Sequence, residues 1–377
     1  MTVSHLILSS GGFEIARRNA GLELKQTISL NEFKKIEDHV SYNYPDLQID
    51  YFNDFKSINM DSVDIVLSLL PCSSLSGMGK KNPHKLKYFG MVFEAFTRGN
   101  SKQLIIETHN NILGDAYREF LKNLYDKYLR DEYTLLCYQT NAIDYGIPQH
   151  RDRVYLIITK GNKYPQLFNP QKRKSLIDFL GDINPEPGDI CNISLKLSEE
   201  IRAWVDFTKN NYNKNWENIP TKFQGLPIRT IIKKGLYDES TVTKPIEKAI
   251  FKMINGIPFF NRSPLLARET TGLIIDKTLI RTLLPPDYTR HLTIREAMSL
   301  MGFPITYYYK NPRANFKNLY RGLVIPVATE ILQQLKRAQY KDIKNSPILY
   351  HFNPPGGEST IIDYKGNDLS YQFGDFA

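Results

Sequence analysis

The first half of the chain alternates short apolar runs with stretches in which apolar residues recur every three or four positions. The runs HLILSS (5–10), DIVLSLL (64–70), KQLIIET (102–108), YTLLCYQT (133–140) and RVYLIITK (153–160) predict strands, and several are apolar throughout, as strands covered on both faces are. Two weaker strands are expected at LELKQTIS (22–29) and LQIDYF (47–52). Between them GFEIARRNAGL, KLKYFGMVFEAFTRG and AYREFLKNLYDKYL predict helices. Strand and helix alternating in this way imply an α/β fold, a doubly wound, mixed but mostly parallel sheet built from βαβ units. Ligands of such sheets bind beyond the carboxyl ends of the strands. Cys72 and Glu107 both stand at such ends.

After about residue 185 the periodicity becomes irregular, prolines and glycines are frequent, and both tryptophans, Trp204 and Trp216, occur. Regular structure returns at LTIREAMSLMGFP, where Thr293 and Glu296 form a T-x-x-E capping box and Gly302 is placed to end the helix. A last helix is expected from IPVATEILQQLKRA, with Pro326 in its first turn and Val327, Ile331 and Leu335 on one face. The tail from about Ser346 has no usable periodicity. These changes divide the chain into 1–188, a second, smaller domain over 189–290, a return to the first domain over 291–345, and a tail over 346–377 of unassigned role.

Charge sharpens the second domain. Of the formal net charge of +9, the segment 191–290 carries 16 Lys/Arg against 10 Asp/Glu, which suits a phosphate-bearing partner. No apolar run reaches the ~18 residues of a membrane span, and the first residues lack the basic and apolar regions of a secretory signal. The three cysteines, Cys72, Cys137 and Cys191, are odd in number and widely spaced, which argues against a disulfide framework or a zinc cluster and for a reducing, cytoplasmic setting with no metal.

Several segments carry candidate chemistry. Cys72 follows Pro71 at the end of an apolar strand and precedes a small, polar loop, so it reads either as a buried thiol or as a presented nucleophile. Glu107 ends the next strand, either as a cap of the following helix or as a proton donor or acceptor facing the same cleft. In NAIDYGIPQHRDRVYLI, Gln149, Arg151 and Arg153 alternate into a strand, and a shared face would present several planar donors. Gly11 and Gly12 open a helix after the first strand, while Glu32 and Asp54 follow the next two, where acids can hold the ribose and base of an adenosine cofactor.

Taken in this order, the segments resemble the cytosine-C5 DNA methyltransferase family over roughly residues 5–340, most specifically in NAIDYGIPQHRDRVYLI and RHLTIREAMSLMGFP. The resemblance implies a Rossmann-like S-adenosylmethionine-dependent methyltransferase domain with a target-recognition domain over the basic region, acting on double-stranded DNA as a monomer. It places Cys72 on the nucleophile that adds to C6 of a flipped cytosine, Glu107 on the acid that bonds N3 and the exocyclic amine, and Arg151 and Arg153 on the arginines that orient the base and the catalytic loop. Gly11, Gly12, Phe13, Asp54 and Pro71 fall on positions that bind S-adenosylmethionine, with Glu32 nearest to the ribose-binding acid. It further implies a restriction-modification or phage setting, with a cognate restriction endonuclease acting on the same site. A DNA-binding homologue with weakened turnover and a tRNA cytosine-C5 methyltransferase are the alternatives. The chain departs from the family's D-L-F-x-G-x-G-G opening, where His5, Ile7 and Ser9 replace the Asp, the Phe and the first Gly, and Leu69 and Leu70 replace a Gly-Phe pair before Pro71.

Overall fold

A computed structural model describes residues 1–56, 58–71, 75, 86–130, 132–194, 196–212, 238–255, 284–312, 322–343, 348–353 and 359–369. Packing divides the chain into two units, Met1–Tyr145 with Asp152–Lys172 and Arg321–Ala377, and Gly146–Arg151 with Arg173–Tyr320. The expected limits of the basic domain, 189 and 290, both lie inside the second unit. Much of that domain, 213–237 and 256–283 with Trp216, lies outside the described residues.

The first unit is built on β1 (Thr2–Leu6), β2 (Glu23–Leu30), β3 (Asp50–Phe52), β4 (Ile65–Leu69), β5 (Gln103–His109), β6 (Tyr133–Asn141), β7 (Asp152–Lys160), β8 (Lys163–Pro165), β9 (Tyr340–Asp342), β10 (Ile348–Phe352) and β11 (Thr360–Asp363). Among the described residues, nine of these form one sheet in the order β11-β10-β6-β7-β5-β4-β1-β2-β3, while β8 pairs with β9. All neighbours in the large sheet are parallel except where β7 and β11 run against them, which is the mixed, mostly parallel α/β sheet that the alternation predicts.

Strand pleating sends alternate residues to opposite faces. Leu6, Ile28, Val66, Leu104, Ile106, Leu156, Leu135, Cys137 and Tyr350 share one face and join a core with Phe89, Val92, Phe93 and Phe96 of α3 (Lys87–Arg98) and Leu121 and Tyr125 of α4 (Asp115–Tyr128). Toward the other face, α1 (Gly12–Asn19) packs on α9 (Ile325–Arg337). Leu323, two residues before α9, crowds Gly12: a Cβ there would lie 2.9 Å from Leu323 Cγ. Pro326 sits in the first turn of α9, and Val327, Ile331 and Leu335 are buried, as the spacing predicts.

The structure differs from the sequence reading at three places. The first strand, expected over 5–10, stops at Leu6, because Ile7 (φ +63°) and Ser9 (φ +53°) turn left-handed and cannot extend it. The tail, in which no element was expected, supplies β10 and β11. β10 lies parallel to β6, with Ile348 opposite Leu135 and His351 opposite Tyr138, and β11 closes the outer side. α2 (Lys34–Asn43) was likewise not expected.

The second unit contains α5 (Leu176–Gly181), α6 (Glu199–Tyr212), α7 (Lys244–Ile254) and α8 (Ile294–Ser299). α6 packs on α7, and Trp204, fully buried, stacks on Phe207 at 5.1 Å. Thr293 and Glu296 make the predicted capping box, and Gly302 (φ +81°) follows the helix. Arg295 holds Asp189 with two bonds of 2.6 and 2.9 Å and donates to the Tyr307 carbonyl, tying α8 to the segments on either side.

β10 and β11 bury Ile348, Leu349, Tyr350 and Ile361 almost completely. At about 1.5–3 kcal/mol per buried large side chain, their removal forfeits roughly 6–12 kcal/mol, comparable with the whole net stability of a domain. A chain ended after Asp342 is therefore expected to be insoluble or to melt far below the full chain; thermal denaturation and size-exclusion chromatography of the two measure this, and equal melting temperatures would contradict it.

Candidate active site

Parallel order gives the first unit one edge at which β1, β2, β3, β4 and β5 all end. The residues singled out from the sequence follow those ends. Gly11 and Gly12 come after β1, Glu32 after β2, Asp54 after β3 and Pro71 after β4, while Glu107 lies within the last turn of the pleat of β5. Cys72, with Ser73 and Ser74, lies outside the described residues, three positions past Leu69. Leu69 is the register partner of Glu107.

Glu107 is 1% exposed on the face opposite the α3–α4 core. Its Oε1 lies 2.9 Å from Nε of Arg153, which stands on β7 diagonally across from it, since Tyr155 is opposite Glu107 and His109 opposite Arg153. The bland reading of Glu107, a helix cap, is taken by another residue: the His109 side chain accepts from the Asn111 amide at the turn that follows β5. Gln149 and Arg151 precede β7, which begins only at Asp152, so strand alternation places Arg153 alone of the three. Both are buried in the second unit, where Gln149 Nε2 donates to the Leu300 carbonyl at 2.8 Å. Arg153 belongs to the first unit.

On the side of β1 and β2 the geometry is dominated by buried charge that the sequence did not single out. Glu14, fully buried on α1, accepts from His5 Nε2 at 2.9 Å, from Arg17 Nε and Nη2 at 2.8 and 2.7 Å, and from Arg18 Nε at 2.6 Å. Burial works to raise its pKa, but the bonds from Arg17 and His5 overcome it and hold the carboxyl well below the usual carboxylate range. His5, standing where the resembling family has Asp, thus secures α1 to the middle of β1. Phe13 is buried beside it in the same helix.

Glu37 of α2 is a second buried carboxylate. Its Oε1 accepts from the Ser9 amide at 2.7 Å and from Ser29 Oγ at 2.9 Å. Burial pushes its pKa up to about 7. Burial likewise pushes down His39, two residues on, to about 4; its ring hydrogen-bonds the backbone of Ser10. The outer acids are exposed: Glu32 Oε2 accepts from Tyr88 Oη at 2.6 Å, and Asp54 Oδ1 from the Lys56 amide at 2.9 Å. Glu14, Glu37 and Tyr88 were missed in the sequence. The available signal was positional, since Glu14 and Glu37 each fall among the core-facing residues of an amphipathic helix.

Among the described residues no helix is long and apolar enough to cross a membrane, and no cluster of His, Cys, Asp and Glu is arranged to hold a metal ion.

A profile of the C-5 cytosine-specific DNA methylase family matches residues 1–337. The type II methyltransferase M.XorII of Xanthomonas oryzae pv. oryzae is 27% identical over 199 residues, 47% of this chain and 45% of that protein; the chain therefore spans less than half the length of this relative. The type II methyltransferase M.FnuDI of Fusobacterium nucleatum is 21% identical over 363 residues, 89% of this chain and 94% of that protein. In fold, the chain is similar to a crystal structure described as a DNA modification methyltransferase encoded within an E. coli prophage, with a TM-score of 0.58 and 16% identity over 89% of this chain and 99% of that one. β9, β10 and β11 lie beyond the matched residues.

The two shifted groups on α2 have opposite effects on stability. Folded Glu37 keeps a proton that the unfolded chain releases, so its contribution is present below about pH 4.5 and is lost as pH rises through 7. His39 stays neutral in the fold, so its contribution is present above about pH 6.5 and is lost as pH falls through 4. Glu37→Gln removes only the first. The variant is expected to gain stability over the wild type on going from pH 5 to pH 7, by on the order of 2–3 kcal/mol. Urea denaturation at the two pH values measures it, and parallel curves would contradict it.

Proposed function

The chain belongs to the C-5 cytosine-specific DNA methylase family, and from that premise we propose that it transfers a methyl group from S-adenosylmethionine to C5 of a cytosine flipped out of double-stranded DNA, through a covalent adduct at Cys72. The observation that carries the reading is the buried Glu107–Arg153 pair at the carboxyl edge, on the strand whose neighbour in register, β4, ends three residues before Cys72. A buried carboxylate beside a fixed guanidinium is costly to assemble without a task, and the ring chemistry supplies one.

Cytosine C5 is a weak nucleophile until something adds at C6. In the proposed sequence the Cys72 thiolate forms a bond to C6, and the electron pair displaced from the C5–C6 double bond spreads toward N3. Glu107 shares a proton at N3 and accepts from the exocyclic amine, relieving that charge, while Arg153 fixes the carboxyl in place. Arg151, expected to orient the base with Arg153, is assigned by its place in the motif. C5, now nucleophilic, forms its bond to the methyl carbon as the bond from that carbon to the sulfonium sulfur breaks, leaving the neutral thioether S-adenosylhomocysteine. Solvent water takes the C5 proton, its electron pair re-forms the C5–C6 double bond and the thiolate departs, restoring the aromatic ring and the free enzyme.

The residues at the edge fit S-adenosylmethionine by the chemistry of the donor set. Glu32 and Asp54 are exposed acceptors at the ends of adjacent strands, suited to ribose hydroxyls and an adenine amine. Gly11 (φ +78°) precedes α1, whose first-turn amides have no partner within the helix, and Ser10 Oγ in the same loop is buried with no hydrogen-bond partner. When bound, S-adenosylmethionine supplies the electrophilic methyl group. Its site takes Gly11, Gly12, Glu32, Asp54 and Pro71, with Phe13 behind the loop. The basic 189–290 region is assigned to target recognition, and a partner endonuclease sharing the same site, as in a restriction-modification system, completes the reading.

Incubation with S-adenosylmethionine and DNA carrying 5-fluorocytosine in many sequence contexts tests it, because fluorine blocks the final elimination and traps the adduct. A denaturant-resistant protein–DNA species is expected, absent in Cys72→Ser. With ordinary DNA, Glu107→Gln is expected to lower kcat by about 10²-fold or more. No Cys72-dependent adduct on any DNA, with cofactor binding also undetectable, would overturn the proposal.

A further inference from the structure

The loop between β1 and α1 is held in an unusual backbone. Ile7, Ser9 and Gly11 all have positive φ (+63°, +53° and +78°), yet only the last is a glycine. Left-handed backbone disfavours a side chain, most of all a β-branched one, and persists only where the surroundings fix it. Ile7 is fixed by the sheet itself: its amide donates to the Ile28 carbonyl at 2.9 Å and its carbonyl accepts from the Leu69 amide at 3.1 Å. Gly11 needs no support. For Ser9, it is α2 that supplies the restraint, through the bond from the Ser9 amide to Glu37 Oε1 at 2.7 Å, with Ser29 Oγ bracing the same oxygen from β2. His39, on the same helix, engages the backbone of Ser10. Glu37 is fully buried, so no solvent competes for the bond.

We infer that Glu37 is a positioning residue for S-adenosylmethionine: it clamps Ser9 in left-handed backbone and so gives this loop the shape that a glycine at position 9 would otherwise supply. The inference rests on the cofactor reading proposed above for the loop. It accounts for Ser9 standing where the family's opening has glycine, because the lost backbone freedom is replaced by an acceptor built into α2. Glu37 touches neither cofactor nor substrate in this account; it acts through Ser9.

The test combines amide hydrogen exchange over residues 7–12 with calorimetric titration of S-adenosylmethionine, on the wild type, Glu37→Ala, Glu37→Gln and the double variant Ser9→Gly/Glu37→Ala. Glu37→Ala is expected to speed exchange in the loop and to raise the cofactor Kd about tenfold, the order expected when one non-glycine residue must hold left-handed backbone unaided. Glu37→Gln keeps an acceptor for the Ser9 amide and is expected to fall between the two. Ser9→Gly/Glu37→Ala is expected to bring the Kd back to within about threefold of wild type; a merely structural loss at position 37 would show no such rescue. Unchanged loop exchange in folded Glu37→Ala, or a double variant as weak as the single one, overturns the clamp. Should Glu37→Ala fail to fold, Glu37→Gln alone and combined with Ser9→Gly carries the same comparison. A wild type that binds no S-adenosylmethionine overturns the cofactor reading, and the exchange measurements then decide the clamp by themselves.

Discussion

An arginine at the start of a strand and a glutamate near the end of its neighbour can meet only if the two strands run in opposite directions. β7 is the reversed strand in the interior of a sheet that is otherwise parallel except at its β11 edge, and its second residue, Arg153, comes to lie across from the last residues of β5. A parallel strand in that place would start at the far edge, about seven residues of extended chain away. The reversal is therefore what lets one edge carry both signs of charge, and Glu107 could not otherwise be buried there at tolerable cost.

The same edge shows two ways of keeping a carboxylate inside a protein. Glu14 is surrounded by His5, Arg17 and Arg18 and stays ionised; the cluster ties a helix to the strand behind it. Glu37 has uncharged donors, among them the Ser9 amide and the Ser29 and Tyr51 hydroxyls, and they do not offset the burial that pushes its pKa up to about 7. The first arrangement is rigid over the ordinary pH range. The second makes the loop it holds part of a proton equilibrium.

Much of this was legible in the sequence, and the limits are physical. The central strands and four of the helices, α1, α3, α4 and α9, were readable because their apolar periods are strong, and the capping box at Thr293 and Glu296 because both of its bonds are local. β1 was misjudged at its end because Ile7 and Leu8 are good strand formers by composition; the turn at Ile7 is imposed by bonds to two other strands. β10 was invisible because what stabilises it is a neighbour encoded roughly two hundred residues earlier. The motif around Glu107 and Arg153 was readable as residue types, but which of them meet depends on the direction of β7. Glu14 and Glu37 were overlooked because a charge on a helix is ordinarily solvated, and only the partners on β1 and in the loop after it reveal that these two are not.

The pairing of β10 with β6 also has a consequence for how the molecule is made. A ribosome delivers the chain from the N-terminus, so β6 is complete long before its outer neighbour exists. Throughout the synthesis of the second unit the growing sheet has an open flank, with unpaired backbone groups beside an apolar surface. The same holds at the other side of the first unit, where Gly12 waits for Leu323. Closure of this fold is a late event by necessity, and its nascent form is the state most exposed to wrong pairing.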